Sequence, residues 1–210
     1  MSRAPSTYHQ EIAARNRAAI LEAAADLFLE AGYDRTSLAR VAAGAGVSRA
    51  TLFKQFPTKA ELFEATVLAS AGAPEVEPDV TPAAGLVDGL VELGRAYADV
   101  LARPRMAGLM RMIIAESPRF PELRERTFDF GALPVLRALR RHLGAASAGD
   151  GGSVDPEVAA TQLLGMIASA VFWPALVHGT WSITDEERLA AVDEAARTVA
   201  ARYAVEERRG

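Results

Sequence analysis

The sequence predicts an all-α protein with a small N-terminal helical domain and a larger C-terminal helical domain. Apolar residues recur three and four positions apart along most of the 210 residues, which is the helical period. No run alternates apolar with polar side chains, and no Asn-Gly or Asp-Gly pair joins two apolar runs, as a β-hairpin would require. Half of the residues are hydrophobic, so a sizeable core can form without disulfides.

The first predicted helix runs from Glu11 to Ala31, with Ile20, Leu27 and Phe28 on its apolar side. Gly32 follows directly. Because glycine adopts the left-handed conformation without a steric cost, we expect the helix to stop there. Ile20 and Phe28 are then expected in the core of the N-terminal domain.

Two short helices are predicted next, and a turn rich in glycine separates them. Thr36 or Ser37 caps the first, which ends at Gly44-Ala45-Gly46. Ser48 caps the second, which ends near Phe56 because Pro57 follows. Two short capped helices around such a turn are typical of a helix-turn-helix.

The rest of the chain predicts further helices, and residues 72–82 form a Pro- and Gly-rich linker without periodicity. We therefore predict an N-terminal domain over 1–71 (core 11–67) and a C-terminal domain over 83–210. A capping box opens a predicted helix from Thr58 to Ala71. Further helices are predicted over Pro82–Ala102, Pro104–Ser117 and Pro121–Leu143, the last of them kinked at Gly131 and Pro134. A flexible loop over Ala145–Ser153 is followed by a helix over Pro156–Val177, bent at Pro174, and by a last helix that a capping box at Thr184 opens.

The distribution of charge singles out the predicted helix-turn-helix. The whole chain has a net charge of −4, but residues 35–60 contain five basic and no acidic side chains. A local positive field of this kind suits a phosphate surface. The alternative, a chance cluster on a segment rich in loops, stays open on charge alone.

The second short helix has the composition of a helix that enters the major groove. Ala50 keeps its outer side low, and Arg49 can form a bidentate pair with guanine. Leu52 and Phe56 fall on the opposite side and are expected in the core. Helix starts and flanking cations can bind phosphates. The predicted DNA-binding residues are Arg15, Arg17, Thr36, Ser37, Ser48, Arg49, Ala50, Thr51, Phe53, Lys54, Gln55 and Lys59.

A near-continuous signature covers about residues 20–67. It consists of Ile20-Leu21-Glu22-Ala23-Ala24, Leu27-Phe28, Gly32-Tyr33, Thr36-Ser37, Val41-Ala42, Ala45-Gly46-Val47-Ser48, Thr51-Leu52-Phe53, Phe56 and Lys59-Ala60-Glu61-Leu62. This segment resembles the DNA-binding domain of the TetR family. The resemblance implies an all-helical homodimer with a ligand-responsive C-terminal domain, most often a repressor. Phe53 stands where the family usually has Tyr, and Gln55 where His is frequent, which puts individual phosphate contacts in doubt.

The C-terminal half is similar to the AefR-like subgroup of that family, over Leu109–Leu123 and Asp155–Gly165. The resemblance implies that the last two long helices, at about 156–178 and 185–205, form the homodimer. Val158–Val177 carries no charged side chain, so it must be covered on all sides, either by a partner subunit or as the central helix of a monomer. A dimer would place two recognition helices on a palindromic double-stranded DNA operator.

A small apolar or amphipathic effector is expected in the C-terminal domain. The side chains that could line its pocket are apolar and flexible, although such stripes also occur in ordinary cores. The candidate pocket residues are Met106, Leu109, Met110, Ile113, Phe128, Phe130, Phe172 and Trp173.

Other function classes lack their sequence signatures. The chain has no cysteine, no His and carboxylate cluster at metal spacing, and none of the glycine-rich or nucleophile motifs of enzymes, so we expect no metal, no cofactor and no catalytic residue. No signal peptide or membrane span is predicted, which indicates a cytoplasmic protein. A small helical enzyme, or an interaction module that uses the C-terminal pocket, remains the alternative.

Overall fold

The structure is a computed structural model that describes residues 7–72, 85–123, 134–149 and 155–207. The all-α prediction is confirmed, since these residues form helices and connecting turns with no strand among them. In chain order the helices are α1 Thr7–Arg35, α2 Leu38–Gly44, α3 Arg49–Gln55, α4 Lys59–Ala71, α5 Leu86–Leu101, α6 Met106–Glu116, α7 Pro134–Gly149, α8 Pro156–Val171, α9 Trp173–Val177 and α10 Asp185–Glu207. Residues 121–123 are also helical.

Helix α1 begins one turn earlier than predicted. Residues 8–11 are all exposed, and their side chains form no apolar pattern from which a helix could be predicted. The predicted stop at Gly32 is visible as a break, because the backbone there leaves helical dihedrals with φ 81° and ψ 172°. Gly32 thus redirects the chain before α2.

Aromatic packing forms the core under α1 and α4. The Phe28 ring meets the Phe63 ring edge-on at 5.1 Å between centroids and stacks on Tyr33 at 5.9 Å. All three side chains are almost fully buried, as are Ile20 and Leu62. Burial of this much apolar surface is the main free-energy term that holds the small helices in place.

The described chain divides into two compact units that do not follow the predicted domain limits. One contains Met1–Ala71 with Gly108–Phe128, and the other contains Gly72–Ala107 with Asp129–Gly210. The first unit gains residues from later in the chain because Gly108 lies against α1. A Cβ added at Gly108 would lie 2.6 Å from Leu29 Cδ2. Composition carries no information on which later helix packs on α1, and the predicted linker lies, beyond Gly72, outside the described residues.

In the second unit, α5, α7, α8 and α10 pack around one apolar core. The capping box predicted at Thr184 is confirmed in both directions. Thr184 N donates to Glu187 Oε2 at 2.9 Å, and Glu187 N donates to Thr184 Oγ1 at 3.2 Å. The hydrogen bond from the Thr184 backbone holds the pKa of Glu187 below its ordinary value.

Two helix ends in the second unit test the loop and bend predictions. The predicted loop over Ala145–Ser153 is wrong at its start, because α7 continues to Gly149 and alanine is a strong helix former. The bend predicted at Pro174 is confirmed, since α8 ends at Val171 and α9 begins at Trp173. The predicted start at Pro82, the kink at Gly131 and the rest of that loop lie outside the described residues.

A membrane-spanning helix and a cluster of metal-binding side chains are both absent from the described part of the chain. None of its helices is long and apolar enough to cross a membrane. Among the same residues, no group of three or more His, Asp or Glu side chains could hold a metal ion.

Candidate nucleic-acid interface

Side-chain caps fix the starts of α2 and α3. Ser37 Oγ accepts a hydrogen bond from Arg40 N at 3.3 Å, and Ser48 Oγ accepts one from Thr51 N at 3.0 Å. Gly46, at φ 65°, turns the chain between the two helices. Serine caps and a left-handed glycine are what this sequence supplies at the required positions, so the helix-turn-helix forms locally.

The two sides of α3 differ as predicted. Leu52 and Phe56 are buried against the rest of the first unit, which confirms their assignment to the core. The other side is open to solvent: Arg49, Ala50, Phe53 and Lys54 are exposed, and Thr51 and Gln55 are half-buried. This outer side combines two cations with small or flat side chains and has no acidic residue.

The hydroxyl of Thr51 is already engaged within the helix. Its Oγ1 lies 2.9 Å from Ser48 Oγ, which also accepts the Thr51 backbone N–H. The two side chains therefore form a small hydrogen-bonded unit at the start of α3. This unit limits how freely either hydroxyl can turn towards another partner.

Arginines from α1 and α2 extend the positive surface. The Arg17 guanidinium lies 4.7 Å from the Phe56 ring centroid, where the cation–π contact holds it beside the end of α3. Arg15 is exposed on the same helix. Arg40, which the site prediction missed, is exposed as well and donates to the Arg35 carbonyl at 3.3 Å. The charge count over residues 35–60 contained this arginine but did not single it out.

Thr36 was predicted to contact phosphate, and its surroundings argue against that role. Only 2% of the residue is exposed. Its Oγ1 donates to the Gly32 carbonyl at 2.8 Å and lies 3.1 Å from the Leu27 carbonyl. The hydroxyl therefore satisfies carbonyl groups at the end of α1, and Ser37 is the cap of α2.

Lys59 is the second correction to the predicted phosphate contacts. Its Nζ donates to the Tyr33 carbonyl at 2.8 Å and lies 3.3 Å from the Asp34 carbonyl oxygen. It also sits 4.3 Å from the Tyr33 ring centroid. Burial lowers the pKa of Lys59, and the carboxylates of Asp34, Glu116 and Glu122 oppose that shift. A side chain held this way stabilises the turn after α1 and is not a free phosphate donor.

Comparison with known proteins explains this arrangement. The family model for bacterial regulatory proteins of the tetR family matches residues 20–66, and the model for the C-terminal domain of AefR-like transcriptional repressors matches residues 88–205. The chain belongs to the TetR family. Its helix-turn-helix is therefore that of a family of DNA-binding transcriptional regulators, and the families and relatives that match are regulators and not enzymes.

Individual relatives of this TetR-family chain agree with the assignment. An uncharacterised HTH-type transcriptional regulator of Mycobacterium tuberculosis, Rv1556, is 32% identical over 99 residues. That alignment covers 47% of this chain and 46% of the relative, so the chain spans about half the length of the curated relatives it matches.

Solved structures cover nearly the whole TetR-family chain. A TetR-family transcriptional regulator from Mesorhizobium loti is 27% identical with a TM-score of 0.70, and the match covers 91% of this chain and 98% of that one. The flavonoid-responsive regulator FrrA is 29% identical with a TM-score of 0.70, covering 90% of this chain and 96% of that one.

The predicted pocket residues of this TetR-family chain are distributed over both units. In the first unit, Leu109 and Ile113 are buried and Met110 is half-buried. In the second unit, Met106 and Phe172 are buried. Phe128 and Phe130 lie outside the described residues.

Trp173 is a correction to the pocket prediction. It is 57% exposed, so its ring belongs to the surface and not to an enclosed cavity. The break at Phe172 is the reason: Phe172 turns inward where α8 ends, and its neighbour at the start of α9 faces outward.

Proposed function

We propose that the chain is a ligand-released repressor that binds a palindromic operator as a homodimer. The observation that carries the proposal is the outer side of α3, where Arg49 and Lys54 stand exposed beside the small Ala50 with no acidic neighbour. A seven-residue helix is about 10 Å long, and the major groove is about 12 Å wide, so the whole exposed side fits into the groove. This role implies a cytoplasmic location.

The proposed contacts divide by chemistry. Arg49 pairs with a guanine edge, and the half-buried Thr51 and Gln55 contact neighbouring bases. Phosphates are bound around this reading surface and set its register without contributing to sequence choice. The proposed phosphate donors are Ser37, Ser48, Lys54, Arg15, Arg17 and Arg40, and the exposed ring of Phe53 packs against the sugar-phosphate backbone.

The homodimer is supported by an uncharged exposed face on α8 and α9. Val158, Trp173 and Val177 are 43%, 57% and 69% exposed, and Gly165 has open space around it. In α8, Val158, Thr161, Gly165 and Ser169 recur three and four positions apart, so they share one side of that helix. Trp173 and Val177 are likewise four positions apart in α9. An uncharged exposed face of this kind is typical of an interface, and helices α8, α9 and α10 of a second copy would cover it.

The effector is proposed to be a small apolar or amphipathic molecule that favours a different spacing of the two recognition helices. The similarity to FrrA, a flavonoid-responsive regulator, supports an aromatic, amphipathic compound as the first class to test. Leu109 and Ile113, both buried in the first unit, supply apolar surface of the kind such a compound needs.

The DNA part of the proposal is tested by selection of bound sequences from a random duplex library. We expect an enriched inverted repeat whose half-sites lie one helical turn, about 34 Å, apart. A single non-repeated motif would contradict the dimeric operator, and no enrichment at low salt would contradict operator binding itself.

The effector part is tested on the selected duplex by fluorescence anisotropy with a panel of flavonoids. A compound of the right class should weaken operator binding by at least about fivefold. Linkage requires that operator DNA weakens binding of the same compound by the same factor, which supplies an internal control. A compound that binds the protein but leaves operator affinity unchanged would contradict release by that compound.

A further inference from the structure

One carboxylate holds two successive backbone N–H groups just after the break in α1. Tyr33 N donates to Glu116 Oε1 at 2.9 Å, and Asp34 N donates to Glu116 Oε2 at 2.9 Å. Gly32 precedes them with φ 81°, and a Cβ added there would overlap Glu116 Oε1. The glycine therefore supplies both the left-handed backbone and the room for the carboxylate.

The carbonyl groups of the same two residues are held from α4. Lys59 Nζ donates to the Tyr33 carbonyl at 2.8 Å and lies 3.3 Å from the Asp34 carbonyl. The Glu116 carboxylate thus accepts from the N–H groups of the Tyr33–Asp34 turn, while the Lys59 ammonium binds its carbonyl groups. Hydrogen bonds with a charged partner are about twice as strong as neutral ones.

Further contacts to the turn come from the same segment as Glu116. The Phe120 ring lies 5.1 Å from the Tyr33 ring, and Tyr33 Oη donates to Glu122 Oε1 at 3.3 Å. An exposed ion pair joins Arg119 to Asp34 at 3.2 Å. All of these partners fall within residues 88–205, which match the C-terminal family model, whereas the turn itself falls within 20–66.

We propose that Glu116 is a positioning residue for operator binding. Its carboxylate fixes the Tyr33–Asp34 turn, and this turn sets where Thr36 closes α1 and where Ser37 caps α2. The C-terminal part of the chain thereby controls the helix-turn-helix through one side chain. The inference rests on the proposed DNA-binding function for its affinity readout, but not for its structural readout.

The decisive variant is Glu116→Gln, which has the same shape but only one acceptor oxygen. Its amide nitrogen would face one of the two N–H groups and repel it. We expect faster amide exchange at Tyr33, Asp34 and the capped start of α2. We also expect operator affinity to fall about tenfold, the size that loss of one charged hydrogen bond implies.

Controls separate positioning from general stability. Glu92→Gln removes an exposed carboxylate from α5, which lies outside the proposed DNA and subunit interfaces, and should change neither readout. Glu116→Asp keeps the charge but is one methylene shorter, so it should show the same two effects in graded form and serves if the glutamine variant does not fold. Thermal melting of each variant records overall stability.

The outcomes are distinct. Unchanged amide exchange at Tyr33 and Asp34, or unchanged operator affinity with faster exchange, would overturn the positioning role. A loss of affinity explained by loss of folded protein in the melting curve would overturn it too. Failure of the unaltered protein to bind the selected duplex would overturn the proposed function instead, and amide exchange at the start of α2 would still decide whether Glu116 orders the helix-turn-helix.

Discussion

Two exposed surfaces of this protein differ in one property, which is charge. The outer side of α3 presents Arg49 and Lys54 among small side chains. The outer side of α8–α9 presents Val158, Trp173 and Val177 with no charged residue among them. By their exposure alone, neither surface could be distinguished from the rest of the protein surface.

The difference indicates the kind of partner that each surface fits. A phosphate backbone attracts the first surface through long-range electrostatics, which salt weakens. An apolar face attracts the second surface through removal of apolar area from water, which salt does not weaken. Operator binding should therefore depend strongly on ionic strength, and dimer formation should not.

The largest expected effect comes from placing a charge on the uncharged face. Gly165→Glu introduces a carboxylate where a Cβ meets nothing within 4 Å, so the subunit itself can fold. In a dimer the carboxylate would be buried without a partner. We expect a monomer by light scattering and operator affinity reduced about 100-fold or more, because the second half-site no longer adds to binding.

Gly144→Glu is the matched control for this change. Gly144 is also a helical glycine with nothing within 4 Å of an added Cβ, but it lies on α7. This variant should remain dimeric with ordinary affinity. A dimeric Gly165→Glu protein would contradict the assignment of α8–α9 to the subunit interface.

A smaller effect should separate base contacts from phosphate contacts on the charged surface. Arg49→Ala should cost about 1–3 kcal/mol and relax base preference at one operator position. Arg17→Ala should instead weaken all sequences about equally and reduce the slope of log affinity against log salt by about one. Competition binding over single-base operator variants, repeated at several salt concentrations, measures both effects.

The contrast between these two variants is itself the test. If Arg17→Ala changed the preferred base, or if Arg49→Ala changed only the salt slope, the proposed roles of the two arginines would be reversed. Melting curves check that loss of the cation–π contact at Phe56 has not unfolded the first unit.

The smallest effect should come from the cap of the recognition helix. Ser48→Ala removes the acceptor for Thr51 N and should lower the free energy of unfolding by about 1 kcal/mol. It also frees the Thr51 hydroxyl. Ser48→Asp keeps the cap but adds a negative charge, so it should restore stability in urea unfolding while weakening DNA binding. Equal stability of the serine and alanine proteins would show that the cap bond contributes little.

Local structure was the part of the site that could be predicted. Ser37, Gly46 and Ser48 define the helix-turn-helix through their own backbone preferences, and the spacing of Leu52 and Phe56 identifies the buried side of α3. Such signals involve residues only a few positions apart. The prediction of a cap therefore needed no knowledge of the rest of the fold.

The wrong site predictions concern residues whose role depends on contacts between distant segments. Thr36 and Lys59 look like phosphate ligands because each stands at or beside a helix start, yet both hydrogen-bond to carbonyl groups at the end of α1. Trp173 was predicted to line the effector pocket because it is large and apolar, yet it faces solvent. In each case the partner, or its absence, is set by packing between segments that the sequence does not show as neighbours.

The sequence by itself determined the helical class, the helix-turn-helix and its buried side, because period, caps and turn residues act over one or two helical turns. Only the tertiary structure decided that Glu116 and Lys59 meet across the turn at Tyr33–Asp34. The physical reason is that a hydrogen bond between residues 83 positions apart depends on how whole helices pack, and no local preference encodes that.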